Sequence, residues 1–177
     1  LELKQIDEVT VMARSRDHQV TSTEMGVEKL DIKTISRIPA FMGEVDIIKS
    51  IQLLPGVSTV GEGASGFNVR GGSTDQNLIL MDRASIINTS HFVGFFSSIN
   101  ADLMKDATLY KSSIPAQYGG RISSVLDLQT REGNKRELHG SGGISPVMGR
   151  IMLEGPMARD KSSFLIGARS SYSNWVL

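Results

Sequence analysis

Cysteine is absent from the chain, which excludes a disulfide framework, thiolate zinc sites and thiol catalysis together and is compatible with any compartment. An excess of charge is missing too. Nineteen basic residues stand against 19 acidic ones, so the surplus that nucleic acid or an anionic membrane surface would require is not there. The longest apolar runs, 77–81 and 92–96, fall far short of the ~20 residues of a membrane-spanning helix. The start, Leu1-Glu2-Leu3-Lys4, lacks the charged-then-apolar plan of a signal peptide, so the chain is expected to begin inside a mature protein. Histidine is sparse and scattered, at His18, His91 and His139, and no H-x-x-x-H, H-E-x-x-H or G-x-S-x-G spacing offers a metal cage or a nucleophile elbow. Asp7, Glu8, Asp46, Asp82, Asp102, Asp106 and Asp127 are spread without a pocket signature, which is the pattern of solvated carboxylates. The sequence therefore points away from an enzyme and implies no cofactor and no metal.

Glycine, by contrast, is plentiful: 18 of 177 residues, above the usual ~7 %, so the backbone turns often. Residues 6–13 alternate weakly as a strand and lead into a polar stretch, 14–24, that has no helical period. Asp31 can cap a short helix from Ile32 to about Arg37, with Pro39 closing it. A second helix is expected over 43–54, its apolar face formed by Val45, Ile48 and Ile51 with Ile47 and Leu54 beside them; Glu44, Lys49 and Gln52 would face solvent, and Pro55-Gly56 stops it. The period then drops to two. Phe67 and Val69 alternate with polar neighbours, 78–81 reads as a buried strand, and 84–87 as its partner. A third helix is expected over 99–105, followed by strands at 108–111 and 124–130. The class is α+β with a small mixed sheet. Glu132-Gly133-Asn134-Lys135 is a turn and a domain border, beyond which helical signal disappears. Residues 138–154 and 163–172 form two long alternating segments joined at 156–161. In the second, Phe164, Ile166, Ala168 and Tyr172 share one face while Gly167, Arg169 and Ser171 share the other, and Tyr172 and Trp175 lie at the end. That is the pattern of a membrane barrel hairpin with an aromatic girdle, and an ordinary half-buried soluble hairpin fits the periodicity as well.

Residues 61–66 match G-x-G-x-x-G, and Asp82 lies at a distance suited to a ribose carboxylate. A dinucleotide fingerprint needs a strand entering the loop and a helix leaving it. Here a strand follows, so the glycines are read as loop geometry.

Four phrases remain that composition does not explain: Leu54-Pro55-Gly56-Val57, then Phe67 to Gly72, then Leu78 to Asp82, then Tyr118 to Asp127. Their order and spacing resemble the plug domain of a TonB-dependent outer-membrane receptor. Phe95-Phe96-Ser97 and Tyr118 to Asp127 resemble most the branch with an upstream carboxypeptidase-regulatory-like domain. The resemblance covers residues 6–133 well and the rest as generic barrel strands. It implies a 1–24 segment and linker, a plug over 25–133, and the first two strands of a β-barrel from 134 to 177. Such strands cannot close a barrel alone, so the chain is expected to be a fragment. In its isolated state the hairpin would pair with another copy or fold back on the plug.

The resemblance also implies roles. Asp7, Glu8, Val9, Thr10 and Val11 stand where the family has the box that adds as a strand to the periplasmic domain of TonB; the alternative is that Val9 to Ala13 form the first strand of the domain sheet. Arg70, Gly71, Gly72, Gly119, Gly120 and Arg121 would contact the enclosing barrel of the same polypeptide, the arginines pairing with barrel carboxylates or else lying exposed beside turns. Asn88, His91, Phe92 and Phe95 fall in the loop that faces a small nutrient ligand, a ferric siderophore, cobalamin or glycan, although phenylalanines so close together also suit a core. Membrane lipid would be touched only through the barrel, in the outer membrane, with the N-terminal segment periplasmic. Two departures stand out. Asp82-Arg83 replaces the family's Asp-Gly, which makes a positive-φ turn less secure, and Ser112-Ser113 replaces the glycine that usually follows Leu-Tyr-Lys. The rival reading is a soluble periplasmic α+β binding or adaptor module.

Overall fold

The computed structural model describes residues 26–35, 45–61, 64–91, 94, 96–145, 148–158 and 160–172. Residues 1–24, and with them the TonB-box expectation at Asp7 to Val11, lie outside the described residues, as do Phe92 and Phe95.

Apolar alternation builds the central sheet. Its strands run in the order β1 (Val27–Asp31), β8 (Met104–Tyr110), β9 (Ser124–Thr130), β4 (Asn77–Met81) and β5 (Ala84–Ser85). All neighbours are antiparallel except β4 and β9, which run parallel, Asn77 beside Ser124 through Met81 beside Leu128. This is the mixed sheet expected from the sequence. Registration places Ile79, Leu126 and Leu109 in one row and Met81, Leu128 and Ala107 in the next, so a single face carries the core. That face is covered by α1 (Ile32–Ile35), α2 (Ile47–Gln52) and β3 (Phe67–Val69), which contribute Ile35, Ile47, Ile48, Ile51, Phe67 and Val69. Two short ribbons flank the sheet: β2 (Val57–Thr59) with β3, and β6 (Ser90–His91) with β7 (Phe96–Ser97).

Several local expectations change. Asp31 caps α1 as expected, accepting from Lys33 N at 3.0 Å. The second helix begins at Ile47 and not at 43, because Asp46 is its N-cap and accepts from Ile48 N and Lys49 N. Gln52 does not face solvent: its Nε2 donates to Ala64 O (3.0 Å) and Gly66 O (2.8 Å), tying the glycine loop back to the helix. The helix expected over 99–105 is instead a single 3-10 turn, Ala101–Leu103, from which the chain passes at Met104 into β8. Asn100 caps the turn, accepting from Asp102 N at 3.1 Å, and the buried alternation of Ala107 and Leu109 then favours a strand, with an irregularity between Met104 and Asp106. The hairpin joining β4 to β5 forms without glycine, with Asp82 and Arg83 both at positive φ (48° and 70°) as a two-residue primed turn requires. Asp82 secures it by accepting from Thr130 N (3.0 Å) and Thr130 Oγ1 (2.7 Å). Ser113 likewise takes positive φ, 52°, where the resemblance leads one to expect glycine.

The C-terminal region is an antiparallel meander of β10 (His139–Ile144), β11 (Met148–Ala158) and β12 (Ser162–Ser171). The expected hairpin is present as β11 and β12, but 138–154 is not one strand. It folds back at Ser145, whose N and Oγ both donate to Met148 O (2.8 and 3.1 Å). The meander folds back on the rest of the fold with the side that carries its charges and the buried Met148 and Met152. Arg150 pairs with Asp102 (3.3 Å), Glu154 with Arg131 (3.2 Å), and Arg169 donates to Ser97 O. The apolar side points away: Ile144 (90 % exposed), Ile151 (63 %) and Ile166 (61 %), with Leu153 and Tyr172.

Candidate functional site

Three of the four phrases, 54–57, 67–72 and 118–127, meet at one corner of the fold, and Gln76 and Asn77, just before the other phrase, join them by hydrogen bonds. Pro55-Gly56 ends α2 in a turn with Gly56 at φ 76°, a value that favours glycine, and Gly56 O accepts from Arg70 N at 3.0 Å. Val69 O, next to it, accepts from Ser123 Oγ at 3.0 Å, while Ser123 N donates to Gln76 O at 3.1 Å. Gly72 must be glycine for this junction: a Cβ there would lie 2.3 Å from Ser123 Oγ and 2.7 Å from Ser123 Cβ. Beneath, Asn77 bridges two strands, donating from Nδ2 to Phe67 O (2.7 Å) and accepting from Ser124 Oγ (2.8 Å). Tyr118 closes the other side, donating to Asp127 Oδ2 at 3.0 Å with its ring 5.5 Å from that of Tyr110.

A buried cation completes the corner. Lys111, 8 % exposed, donates from Nζ to Pro55 O (3.0 Å) and to Glu28 Oε1 (3.1 Å), so the end of β8 holds both the Leu54–Val57 phrase and β1. Sequence reasoning missed Lys111 and β1 altogether. The visible signal was a lysine closing a β-alternating run beside two serines, which is no more specific than an exposed strand end.

The surface beside this corner carries the residues expected to meet a barrel wall. Arg70 (φ 49°) and Gly71 (φ 81°) form an exposed turn; Gly119, Gly120 (φ 87°) and Arg121 form a second, followed by the exposed Ile122. Gly72 alone of the six is half-buried, beneath Ser123. Gly120 and Arg121 line one open cleft together with Gly66, Phe67, Asp75 and Ile87.

The loop expected to face ligand behaves in two parts. Asn88 is exposed, and its carbonyl accepts from Ser98 Oγ at 3.1 Å. His91 lies in β6 opposite Phe96. Phe96 and Ser97, however, are core. Asp46, itself buried, accepts from Ser97 N at 2.8 Å with its second oxygen, and Lys49 Nζ sits 5.4 Å from the centre of the Phe96 ring. Burial lowers the Lys49 pKa, with the nearby Asp46 carboxylate acting in the opposite sense. The loop is thus rooted in the N-terminal turn of α2.

The geometry speaks directly to the glycine-rich motif at 61–66. It joins β2 to β3 of an antiparallel ribbon and leads into a strand, so no helix N-terminus is available for a pyrophosphate. Among the described residues no group of three or more His, Asp or Glu gathers as a metal site. Among them, too, no helix is long and apolar enough to cross a membrane.

Comparison with solved structures gives the same architecture. The siderophore receptor PirA from Acinetobacter baumannii aligns with a TM-score of 0.62 at 20 % identity, over 84 % of this chain and 24 % of that one. A ferric enterobactin receptor (PfeA) mutant from Pseudomonas aeruginosa aligns at 0.58 and 19 %, over 83 % and 24 %. The outer membrane transporter YddB from Escherichia coli aligns at 0.51 and 17 %, over 73 % and 23 %. The chain therefore spans about a quarter of the length of these proteins. No curated protein sequence matches it. The profile of the TonB-dependent Receptor Plug Domain matches residues 19–125, more than half of the chain, which accordingly belongs to the TonB-dependent receptor plug domain family.

Proposed function

We propose that this chain is the plug, together with the opening barrel strands, of an outer-membrane receptor that takes up a small nutrient by coupling to TonB. The observation that carries the reading is the polarity of the β10–β12 sheet. Arg150, Glu154 and Arg169 turn inward together with the buried Met148 and Met152, whereas Ile144, Ile151, Leu153 and Ile166 turn outward. A soluble sheet would bury the apolar side; a barrel strand presents it to lipid and keeps its polar side toward the lumen. The rival soluble binding module gains nothing from this arrangement.

On this reading the barrel wall faces Arg70, Gly71, Gly72, Gly119, Gly120 and Arg121, and barrel carboxylates pair with the two exposed arginines. Asn88, His91, Phe92 and Phe95 belong to the ligand side. Asp7, Glu8, Val9, Thr10 and Val11 add as a strand to the periplasmic domain of TonB, and traction on them remodels part of the plug. The transported ligand is a ferric siderophore, cobalamin or glycan, no covalent chemistry takes place, and a regulatory-like domain precedes the plug.

Leu153→Arg in the full-length receptor tests the lipid-facing assignment. Near the bilayer midplane it costs about 2–4 kcal/mol and lowers outer-membrane assembly. On a soluble surface the same change is neutral, and unaltered assembly would end the proposal. A peptide covering residues 3–13 should bind the TonB periplasmic domain, and Val9→Pro should abolish binding by removing a ladder donor.

A further inference from the structure

We infer that Lys111 is a catch that keeps β1 shut against the plug sheet, and that β1 is built to detach as a unit while the remaining core stays folded. The inference rests on the reading above that load reaches the plug through its N-terminal segment.

Burial makes β1 weaker than β4, β8 and β9, the longer strands of its sheet. It lies at the edge, paired on one side only with β8, and none of its five residues is fully buried. Only Leu30 packs on the core, whereas β8 and β9 contribute Met104, Ala107, Leu109, Leu126 and Leu128. Strands with little buried apolar surface open at lower free energy than the global transition.

Beyond the main-chain ladder with β8, Lys111 adds bonds at the end that would be loaded first. There Lys111 N donates to Gly26 O at 2.8 Å, and Lys111 Nζ reaches Glu28 and Pro55 O. Gly26 is at φ 79°, and a Cβ on it would lie 2.1 Å from Ser112 Oγ, so its backbone passes close against the Ser112 side chain where another side chain could not fit. One residue thus grips β1 by its main chain and its side chain. Because the same ammonium also holds Pro55 O, opening the catch frees the Leu54–Val57 turn on the other side. Unpeeling has a stop. Ile35 of α1, four residues beyond the strand, is fully buried in the core, so the detachable length runs from Gly26 to Asp31.

Amide hydrogen exchange on the full-length receptor in detergent micelles, without TonB, reads the catch directly. Lys111→Met removes the charge and both side-chain bonds at similar volume, and should raise exchange over 27–31 by about tenfold to a hundredfold. Amides of β4 and β9 should keep wild-type protection. Glu28→Gln retains an acceptor for Lys111 and should give a smaller rise confined to the same residues. Unchanged exchange at 27–31 in Lys111→Met would overturn the inference, as would a uniform rise across β1, β4, β8 and β9 in both variants. Because no TonB is present, either result leaves the coupling proposal standing; failure of the 3–13 peptide to bind TonB would end that proposal and leave the catch intact.

Discussion

Replacing Asp46 should destabilise the plug more than the loss of any ordinary helix cap, since its two carboxylate oxygens serve two elements. One accepts from Ile48 N (2.8 Å) and Lys49 N (3.3 Å) at the start of α2; the other accepts from Ser97 N (2.8 Å) in β7. Removing a cap by Asp→Ala costs about 1 kcal/mol. Ser97 is fully buried, so its stranded N–H adds the desolvation penalty of an unsatisfied donor, about 1–3 kcal/mol. Asp46→Ala should therefore cost about 3 kcal/mol. Asp46→Asn separates the two parts: asparagine caps as well as aspartate, but its amide group sets donors against the Ser97 N–H, so only the second share is lost. Urea unfolding followed by far-UV circular dichroism measures both. A cost below about 1 kcal/mol for Asp46→Ala, no more than an ordinary cap, would refute the bridging role, as would an Asp46→Asn variant as stable as the parent.

Gly72→Ala drives a methyl group into Ser123 and should cost about 1–3 kcal/mol by overpacking; Ser123→Ala should rescue it only in part, because Ser123 Cβ also lies within 2.7 Å, and a thermal double-mutant cycle reads the coupling. Hydrogen bonds from Thr130, the side chain's first and the backbone's second, hold the Asp82 carboxyl below its ordinary pKa. A depressed folded pKa contributes stability above the unfolded value of about 3.9 that is lost as pH falls through the folded one. Thr130→Val should therefore raise the Asp82 pKa in a carboxyl NMR titration and flatten the acid limb of the stability profile. Arg131→Ala leaves the Glu154 carboxylate, 7 % exposed, with Asn134 N as its hydrogen-bond donor among the described residues, and should cost about 3 kcal/mol while speeding proteolysis in 132–138. Replacing both partners with methionine should restore most of that loss.

Pattern made the sheet legible: alternation at 67–69 located β3, which buries every second residue, and the apolar run at 78–81 located β4, which buries Ile79 and Leu80 in succession. It failed where local polar bonds decide. Asp46 and Asn100 set the start of α2 and the shortness of the 3-10 turn, and each acts through a single side-chain oxygen that no apolar period registers. β1 went unseen since Val27 and Leu30 fall three apart, a spacing that points to neither face of a strand, and its place is fixed by Lys111 from 83 residues away. Glycine spacing exposed the corner, but not its reason. Gly72 and Gly56 serve contacts with Ser123 and Arg70 that the linear order hides. The C-terminal polarity was readable in kind, and which side would meet the plug depends on the pairing of Arg150, Glu154 and Arg169 with Asp102, Arg131 and Ser97, which the linear order hides.

The parallel pairing of β4 with β9 has a consequence for how the chain is made. Asn77 meets Ser124, and Val27 meets Tyr110, so the sheet's centre stays open until residue 130 has emerged. Such distant closures slow folding to the millisecond-to-second range typical of non-local topologies. Throughout that wait Leu78, Ile79, Leu80 and Met81 lack their strand partner, which leaves an apolar segment open to pairing with another chain.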